Sequence, residues 1–406
     1  MSLPIQHKHN SVLLTLSFVF FSLALTAQTN CRRQLRVSMY PFIPNPDNFY
    51  RKIETEYEKM FPDVDIIIVQ NPNYYDETTG LMNEEADIYE IDCIMLKDFI
   101  TKGKIQKLPV PLIPQPALLP DLVPAAKDIV TGGYVFPHWL CSNFLIYNAA
   151  DAPMSNIKTL SDLERTIGKN PTLKTGLLID MKGKLTVGEL YADALMDQYN
   201  NLDTVIKYAT VNNLNMPTIN NLNRIPDITY TDWGRVDAYH DKAGFYQKQF
   251  AKGNGRALVG YSESLYFVLN EMMNSCYNEE GCLVNNLGIS EVPFSDKGSN
   301  PLGWVDAFGI DSKVTGDKLR DATGFLMYMM SNDVYLKALI PDWGDAPRYL
   351  LPIYRSMYAN PILLKNAPYY QKLLPLVERI ITVSADGISP ALRQVGKKLD
   401  KESLKN

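Results

Sequence analysis

The sequence predicts an α/β protein made of two lobes with a cleft between them, and three observations carry that expectation. Residues 35–40 alternate as a strand, residues 48–60 have helical apolar spacing, and residues 65–69 form an apolar run. The chain therefore opens strand–helix–strand, the start of a sheet with parallel crossovers. Residues 86–95 read as a further strand carrying Asp87, Glu90 and Asp92, and ligands of open α/β sheets gather at such strand ends. The run from Trp139 to Tyr147 reads as a crossing out of the first lobe, and residues 302–310 as a strand returning to it. The expected division is 32–138 plus 303–345 for the first lobe and 139–302 plus 346–406 for the second.

Between the crossings, residues 159–167 and 187–199 have helical patterns, and residues 241–251 form a third helix running toward Gly253. Residues 256–261 read as a strand feeding a helix over 262–273, with Ser262 placed to cap it. The last hundred residues are mostly helical, interrupted by Pro341, Pro347, Pro352 and Pro361, and end in a solvated tail over 397–406.

Composition narrows the function. The 406 residues are 46% hydrophobic and 21% charged, as in an average globular chain of this size, which excludes general disorder. Forty basic against 45 acidic residues leave a net charge of −5, so no overall positive field favours nucleic acid or an anionic membrane. The 24 tyrosines, beside 15 phenylalanines and 4 tryptophans, exceed what a core requires and suit a site that is both flat and polar. Residues 1–27 read as a secretory signal: Lys8 and His9, an apolar run over 12–25, then Thr26-Ala27. The mature chain is expected to be a secreted or periplasmic monomer, free of the membrane once the signal is cleaved.

Metal, nicotinamide and nucleotide chemistry lack their signatures: H-E-x-x-H, paired C-x-x-C, G-x-G-x-x-G after a strand, and G-x-x-x-x-G-K are all missing, and no metal or cofactor is expected. Past the signal only His138 and His240 remain. Strand alternation sets His138 and Cys141 on opposite faces, which argues against a Cys–His pair.

Five cysteines follow the signal: Cys31, Cys93, Cys141, Cys276 and Cys282. In an oxidising compartment an odd count leaves at least one thiol unpaired, and Cys276 and Cys282 bracket a segment short enough to close as a local disulfide. Cys141 lies among Phe136, Trp139, Phe144 and Tyr147 at the crossing between lobes. A thiol there is reactive only if a neighbour activates it, and Glu263, at the end of the strand Arg256–Tyr261, is a carboxylate in reach of that task as a general base that accepts the thiol proton and later activates a second nucleophile. The helix that follows is expected to keep Glu263 ionised. Alternation puts Glu90 and Asp92 on one face, where with Asp306 they suit a cationic or amino-bearing ligand. Tyr40, Phe42, Tyr74, Tyr246, Tyr261 and Trp304 are candidate walls for a flat cation, in a lining expected to hold no Lys or Arg.

Several of these segments, taken in order, resemble a known family. Tyr40-Pro41-Phe42, Tyr89 to Asp92, Trp139 to Tyr147, Gly260-Tyr261-Ser262-Glu263 and Trp304-Val305-Asp306 are similar to thiaminase I, thiamine pyridinylase, and their order matches across nearly the whole mature chain. The resemblance implies a type II periplasmic-binding-protein-like fold and a ping-pong exchange. In that exchange Cys141 adds to the pyrimidine of thiamine with Glu263 as its base, the thiazole leaves, and a small organic base or thiol takes its place. It further implies that Asp92 binds the aminopyrimidine, that Asp306 offsets substrate charge, and that Tyr40, Tyr246 and Tyr261 line the pocket. Phe42 and Trp304 depart from the family's tyrosines, and free thiamine is expected as substrate in preference to its diphosphate. The competing readings are a non-catalytic solute-binding protein for thiamine or a related cation, since fold alone does not separate binder from enzyme, and a cysteine hydrolase using either histidine.

Overall fold

The computed structural model describes residues 32–401 except 72–73, 76–81, 83, 131, 232, 241, 277–281 and 342–343. The signal read at residues 1–27 and Cys31 lie outside the described residues. The strands are β1 (Arg33–Ser38), β2 (Val64–Val69), β3 (Ile88–Asp92), β4 (Val135–Asn148), β5 (Leu177–Leu178), β6 (Ala257–Tyr261), β7 (Leu287–Glu291), β8 (Leu302–Ile310), β9 (Leu351–Pro352) and β10 (Ile381–Thr382). They follow the order β2-β1-β3-β8-β4-β6-β5, with β10 beside β8 and β7 and β9 beside β4. Helices fill the connections, and the architecture is the two-lobed binding-protein-like α/β fold expected from the sequence.

The sheet is mixed rather than parallel. β1 pairs β2 and β3 in parallel, the product of the strand–helix–strand start, but β8 runs antiparallel to both β3 and β4. A strand that returns from the far lobe inserts between two others without a crossover helix, so parallel pairing does not extend across it. β4 is the element the two lobes share. Its first half, to Ser142, pairs β8, and its second half, from Asn143, pairs β6 and β7. All but the last of its 14 residues are buried, as a strand covered on both faces requires.

Local chemistry explains most boundaries. Pro46 opens the first helix, Pro46–Met60, where a missing N–H costs nothing. Thr159 and Asp162 form a reciprocal capping box on the helix Leu160–Ile167. Two expectations are corrected. The residues after Asp92 are helix, Cys93–Thr101, because the Asp92 side chain caps it by accepting from the Ile94 N–H. The expected solvated tail is helical to Lys401, with Leu399 buried, since the helix Ile388–Lys401 lays an apolar face on the helix Lys184–Tyr199.

Those two helices approach closely at two glycines. A Cβ at Gly188 would sit 2.3 Å from the Leu392 carbonyl oxygen, and one at Gly396 would sit 1.7 Å from that of Lys184. Gly396→Ala must push the helices apart and is expected to lower stability by about 1–3 kcal/mol, the usual cost of overpacking. Urea unfolding with an unchanged midpoint would show that the contact does not constrain the helices.

Candidate active site

The strand register assembles the site from the sheet outward. Cys141 on β4 stands opposite Trp304 on β8, and one step along, Trp139, Asp306 and Asp92 form a row across β4, β8 and β3. Cross-strand neighbours share a face, so thiol, indole and two carboxyl groups lie on one side of the sheet. β6 ends beside Asn143, and this delivers Tyr261 and Glu263 to the same place. A cavity of about 820 Å³ opens there, lined by Cys141, Glu263, Asp92, Trp304, Tyr40 and Tyr261 among others. Such a volume holds a ligand of vitamin size with room for a second small molecule.

The structure therefore brings together most of the residues singled out by sequence and leaves three aside. Phe42 lines the mouth, 57% exposed, stacked on Tyr75 with ring centroids 5.9 Å apart. Tyr74 stands behind the wall: its hydroxyl donates to the Glu90 carbonyl at 2.7 Å and accepts from the Asp92 N–H at 3.0 Å, so it braces β3. The wall position belongs to its neighbour Tyr75, whose hydroxyl donates to Asp92 Oδ2 at 2.7 Å. Tyr246 is buried away from the cavity with its hydroxyl on the Trp233 carbonyl at 2.6 Å. Asp306 is 3% exposed and lies beneath the lining.

Burial sets the protonation of the site. The Cys141 thiol is pushed well above its ordinary value, by burial first and then by the charges of Glu263, Asp306, Asp92 and Glu189. Burial raises the Glu263 carboxyl to about 7. The expectation that a helix start would keep Glu263 ionised is thus corrected: desolvation outweighs the dipole. Glu263 itself occupies the N-cap position of the helix Ser264–Ser275, with no side-chain cap, so Ser262 does not play that part. Asp92 and Asp306 face each other in the ladder and both are raised by burial, Asp306 further by the charge of Asp92; paired like charges hold a proton between them.

The histidines sit apart from the thiol. His138 occupies a β-bulge between Pro137 and Trp139, fully buried, with Nδ1 2.6 Å from Glu90 Oε1. The other oxygen of Glu90 accepts from the Tyr40 N–H at 2.8 Å, and the Tyr50 hydroxyl donates to the Tyr40 carbonyl, so this pair fixes the backbone of an aromatic wall. His240 lines the far side of the cavity and bonds Asp180 at 2.8 Å. Of the remaining thiols, Cys93 is buried against Thr382, 3.1 Å away, and Cys276 and Cys282 form a disulfide.

Sequence reasoning missed Glu189, Lys184 and Arg393, all in the lining, so the wall is not free of cations as expected. Arg393 reaches the cleft from the helix Ile388–Lys401, its guanidinium 5.9 Å from the Tyr75 ring centroid. A signal for Glu189 was present: Glu189, Asp193 and Asp197 recur every fourth residue on a helix buried all round. Like charges at that spacing are unfavourable, so each needs a partner. Asp193 accepts from Asn143 at 2.8 Å, Asp197 from the Phe294 and Asn300 N–H groups, and Glu189 from the Tyr261 hydroxyl.

Fold and cleft define a two-lobed α/β protein of the solute-binding architecture with an unbridged cysteine and a buried carboxyl group lining one cavity. Comparison narrows the class. Residues 142–276 match the family model of the Thiaminase-1 domain. The chain is 26% identical over 360 residues to Thiaminase-1 of Paenibacillus thiaminolyticus, covering 85% of this chain and 81% of that one. Among solved structures it is similar to Clostridium botulinum thiaminase I in complex with thiamin, with a TM-score of 0.75, 24% identity, and coverage of 92% and 100%. A cyclo/maltodextrin-binding protein complexed with maltotetraose shares the fold at a TM-score of 0.56 and 16% identity, over 91% and 94% of the chains. Over most of its length the chain is thus similar to thiaminase I.

Glu263 offers a test of the burial argument. Its folded value, about 7, exceeds the unfolded one of 4.5, so the folded protein binds more protons between these values and stability falls as pH rises through them. Glu263→Gln is therefore expected to have a higher urea midpoint than the parent at pH 8 and to converge on it near pH 4. A difference independent of pH would mean that the carboxyl is not desolvated.

Proposed function

We propose that the chain is a thiamine-degrading transferase that exchanges the thiazole of thiamine for another nucleophile through a covalent pyrimidine on Cys141. One observation carries this reading: Cys141 and Glu263 line the same cavity as Asp92 and the aromatic walls, in a chain similar to thiaminase I. Thiamine is cationic. In a cavity whose acids outnumber its bases, its positive charge is attracted and in turn stabilises the thiolate, which the empty cleft disfavours. With a value near 7, Glu263 is a stronger base toward the thiol proton than an ordinary carboxylate.

The steps balance. The Cys141 proton passes to Glu263, sulfur bonds a pyrimidine ring carbon, and the C–N bond to the thiazolium breaks with its electron pair leaving on neutral thiazole. A second nucleophile then bonds the methylene carbon and the C–S bond breaks with its pair returning to sulfur. Asp92, held by Tyr75, takes the aminopyrimidine; Asp306 below it offsets positive charge; Tyr40, Phe42, Tyr261 and Trp304 enclose the rings. Because Lys184 and Arg393 share the wall, preference for free thiamine over its diphosphate does not follow from the lining. The reading extends to a secreted or periplasmic monomer. Secretion is supported by the signal pattern of residues 1–27.

Cys141→Ser is expected to abolish consumption of thiamine in the presence of aniline or pyridine, followed by mass spectrometry of the pyrimidine adducts. Undiminished turnover would remove Cys141 as the nucleophile, whereas a parent protein that binds thiamine without turnover would leave the binding-protein reading. Glu263→Gln is expected to slow exchange by roughly a hundredfold, the scale of a lost general base, with thiamine affinity within a few fold. A collapse of affinity instead would make Glu263 a ligand-holding group.

A further inference from the structure

To take the Cys141 proton, Glu263 must be ionised and held in one orientation inside a buried site. The chain carries it on a short turn. β6 ends at Tyr261, the helix Ser264–Ser275 begins at Ser264, and Ser262 and Glu263 make the turn between them. The Leu265 N–H donates to the Ser262 carbonyl at 3.1 Å and the Tyr266 N–H to the Glu263 carbonyl at 3.0 Å, which ties the backbone of the turn to the helix. That leaves the Glu263 side chain to be fixed by something else, since from the N-cap position it makes no cap of its own.

Two hydroxyls flank Glu263, and they are engaged differently. The Ser264 hydroxyl accepts from Gln247 Nε2 at 2.9 Å. Ser262 is fully buried, and its hydroxyl donates to Glu263 Oε2 at 3.3 Å. Among the described residues it is the one side chain that donates to this carboxyl group. The titratable groups facing Glu263 from the neighbouring strands are Cys141 of β4 and Asp306 of β8, and neither is a cation. Hydrogen bonding is therefore what opposes the burial of Glu263, from Ser262 and from its own N–H. Such a bond strengthens once its acceptor is charged, and long catalytic hydrogen bonds in an empty site tighten in the complex.

Resting on the exchange reading, we infer that Ser262 is a positioning residue for the catalytic base: its buried hydroxyl binds the ionised Glu263 carboxylate and keeps it in one orientation toward the Cys141 proton. The serine that the sequence places as a helix cap serves its neighbour's side chain instead of the helix. Because it favours the charged form, its loss raises the Glu263 value above about 7 and leaves the base protonated over a wider range.

The test follows kcat/KM for thiamine against pH in the full-length protein, a quantity that in a ping-pong exchange reports the first half-reaction and is independent of the nucleophile. In the parent it is expected to rise through a limb at about pH 7 as Glu263 ionises. Ser262→Ala is expected to move that limb up by roughly half to one pH unit, the share of one hydrogen bond to a carboxylate. Rates below the limb then fall roughly three- to tenfold, and rates above it fall less. Ser262→Thr keeps a hydroxyl and is expected to bring the limb back, and Ser264→Ala to leave it in place. A smaller folded fraction lowers the profile without moving the limb, and Ser262→Gly supplies a second variant without the hydroxyl. A limb unmoved in both hydroxyl-free variants, or moved equally by Ser264→Ala, overturns the assignment and leaves the exchange intact. A parent that binds thiamine without turnover removes the exchange reading itself, and the assignment with it.

Discussion

The cleft depends on the cost of keeping a thiol and several carboxyl groups together away from water. Each neighbouring acid makes ionisation of Cys141 harder, and burial contributes more than any of them. A monocation inserted among them works in the opposite direction. At 4 Å and an effective dielectric of 20, one unit charge is worth about 4 kcal/mol, or about three pK units. The resting protein therefore holds a protonated sulfur, and in the proposed exchange the ligand that supplies the missing charge is also the one to be attacked. On that reading selectivity and activation share one electrostatic source, and the acids around the thiol serve both.

The fold supplies this arrangement through a single strand. Cys141 is the second-last residue of β4 to pair β8 before β4 turns to β6 and β7, so the thiol is fixed by both lobes at once. Around it, other contacts tie the lobes. The helix Ile388–Lys401 follows a loop anchored to the first lobe, where Gly387 N–H donates to Asp98 and Thr101 bonds Asp386, and then lies on the second-lobe helix carrying Glu189. The buried His138–Glu90 pair works at one remove, holding the backbone of Tyr40 and touching no ligand surface. The site is thus supported by rigid elements on three sides, as a geometry tolerant of only small errors requires.

The legible parts were those that local pattern determines. The strands 65–69, 256–261 and 302–310 and the helix over 159–167 all follow from apolar period and composition, and each is found within a residue or two. Less legible were features set by distant contacts. β8 is read as a strand from its own residues, but its antiparallel insertion depends on partners more than 150 residues away. Tyr74 and Tyr75 are equal candidates in sequence, and only the hydrogen bonds to Glu90 and Asp92 decide which faces in. Arg393 lies in the last hundred residues, read from sequence only as mostly helical, and it reaches the cleft because two glycines let the helices close.

A solute-binding protein and a transferase on this fold place different demands on the same residues. Binding a cation requires acids and aromatic walls, and the cleft has both. It gains nothing from a buried, reduced thiol, whose desolvation is unfavourable wherever ionisation is wanted, nor from a carboxyl tuned to about 7 beside it. A binder is better served by a carboxylate that stays charged. A group poised near neutrality holds its ligand less firmly and exchanges protons more readily, which is the compromise a catalyst makes. The combination of Cys141 and Glu263 therefore argues for chemistry over capture even where fold and lining are silent on the choice.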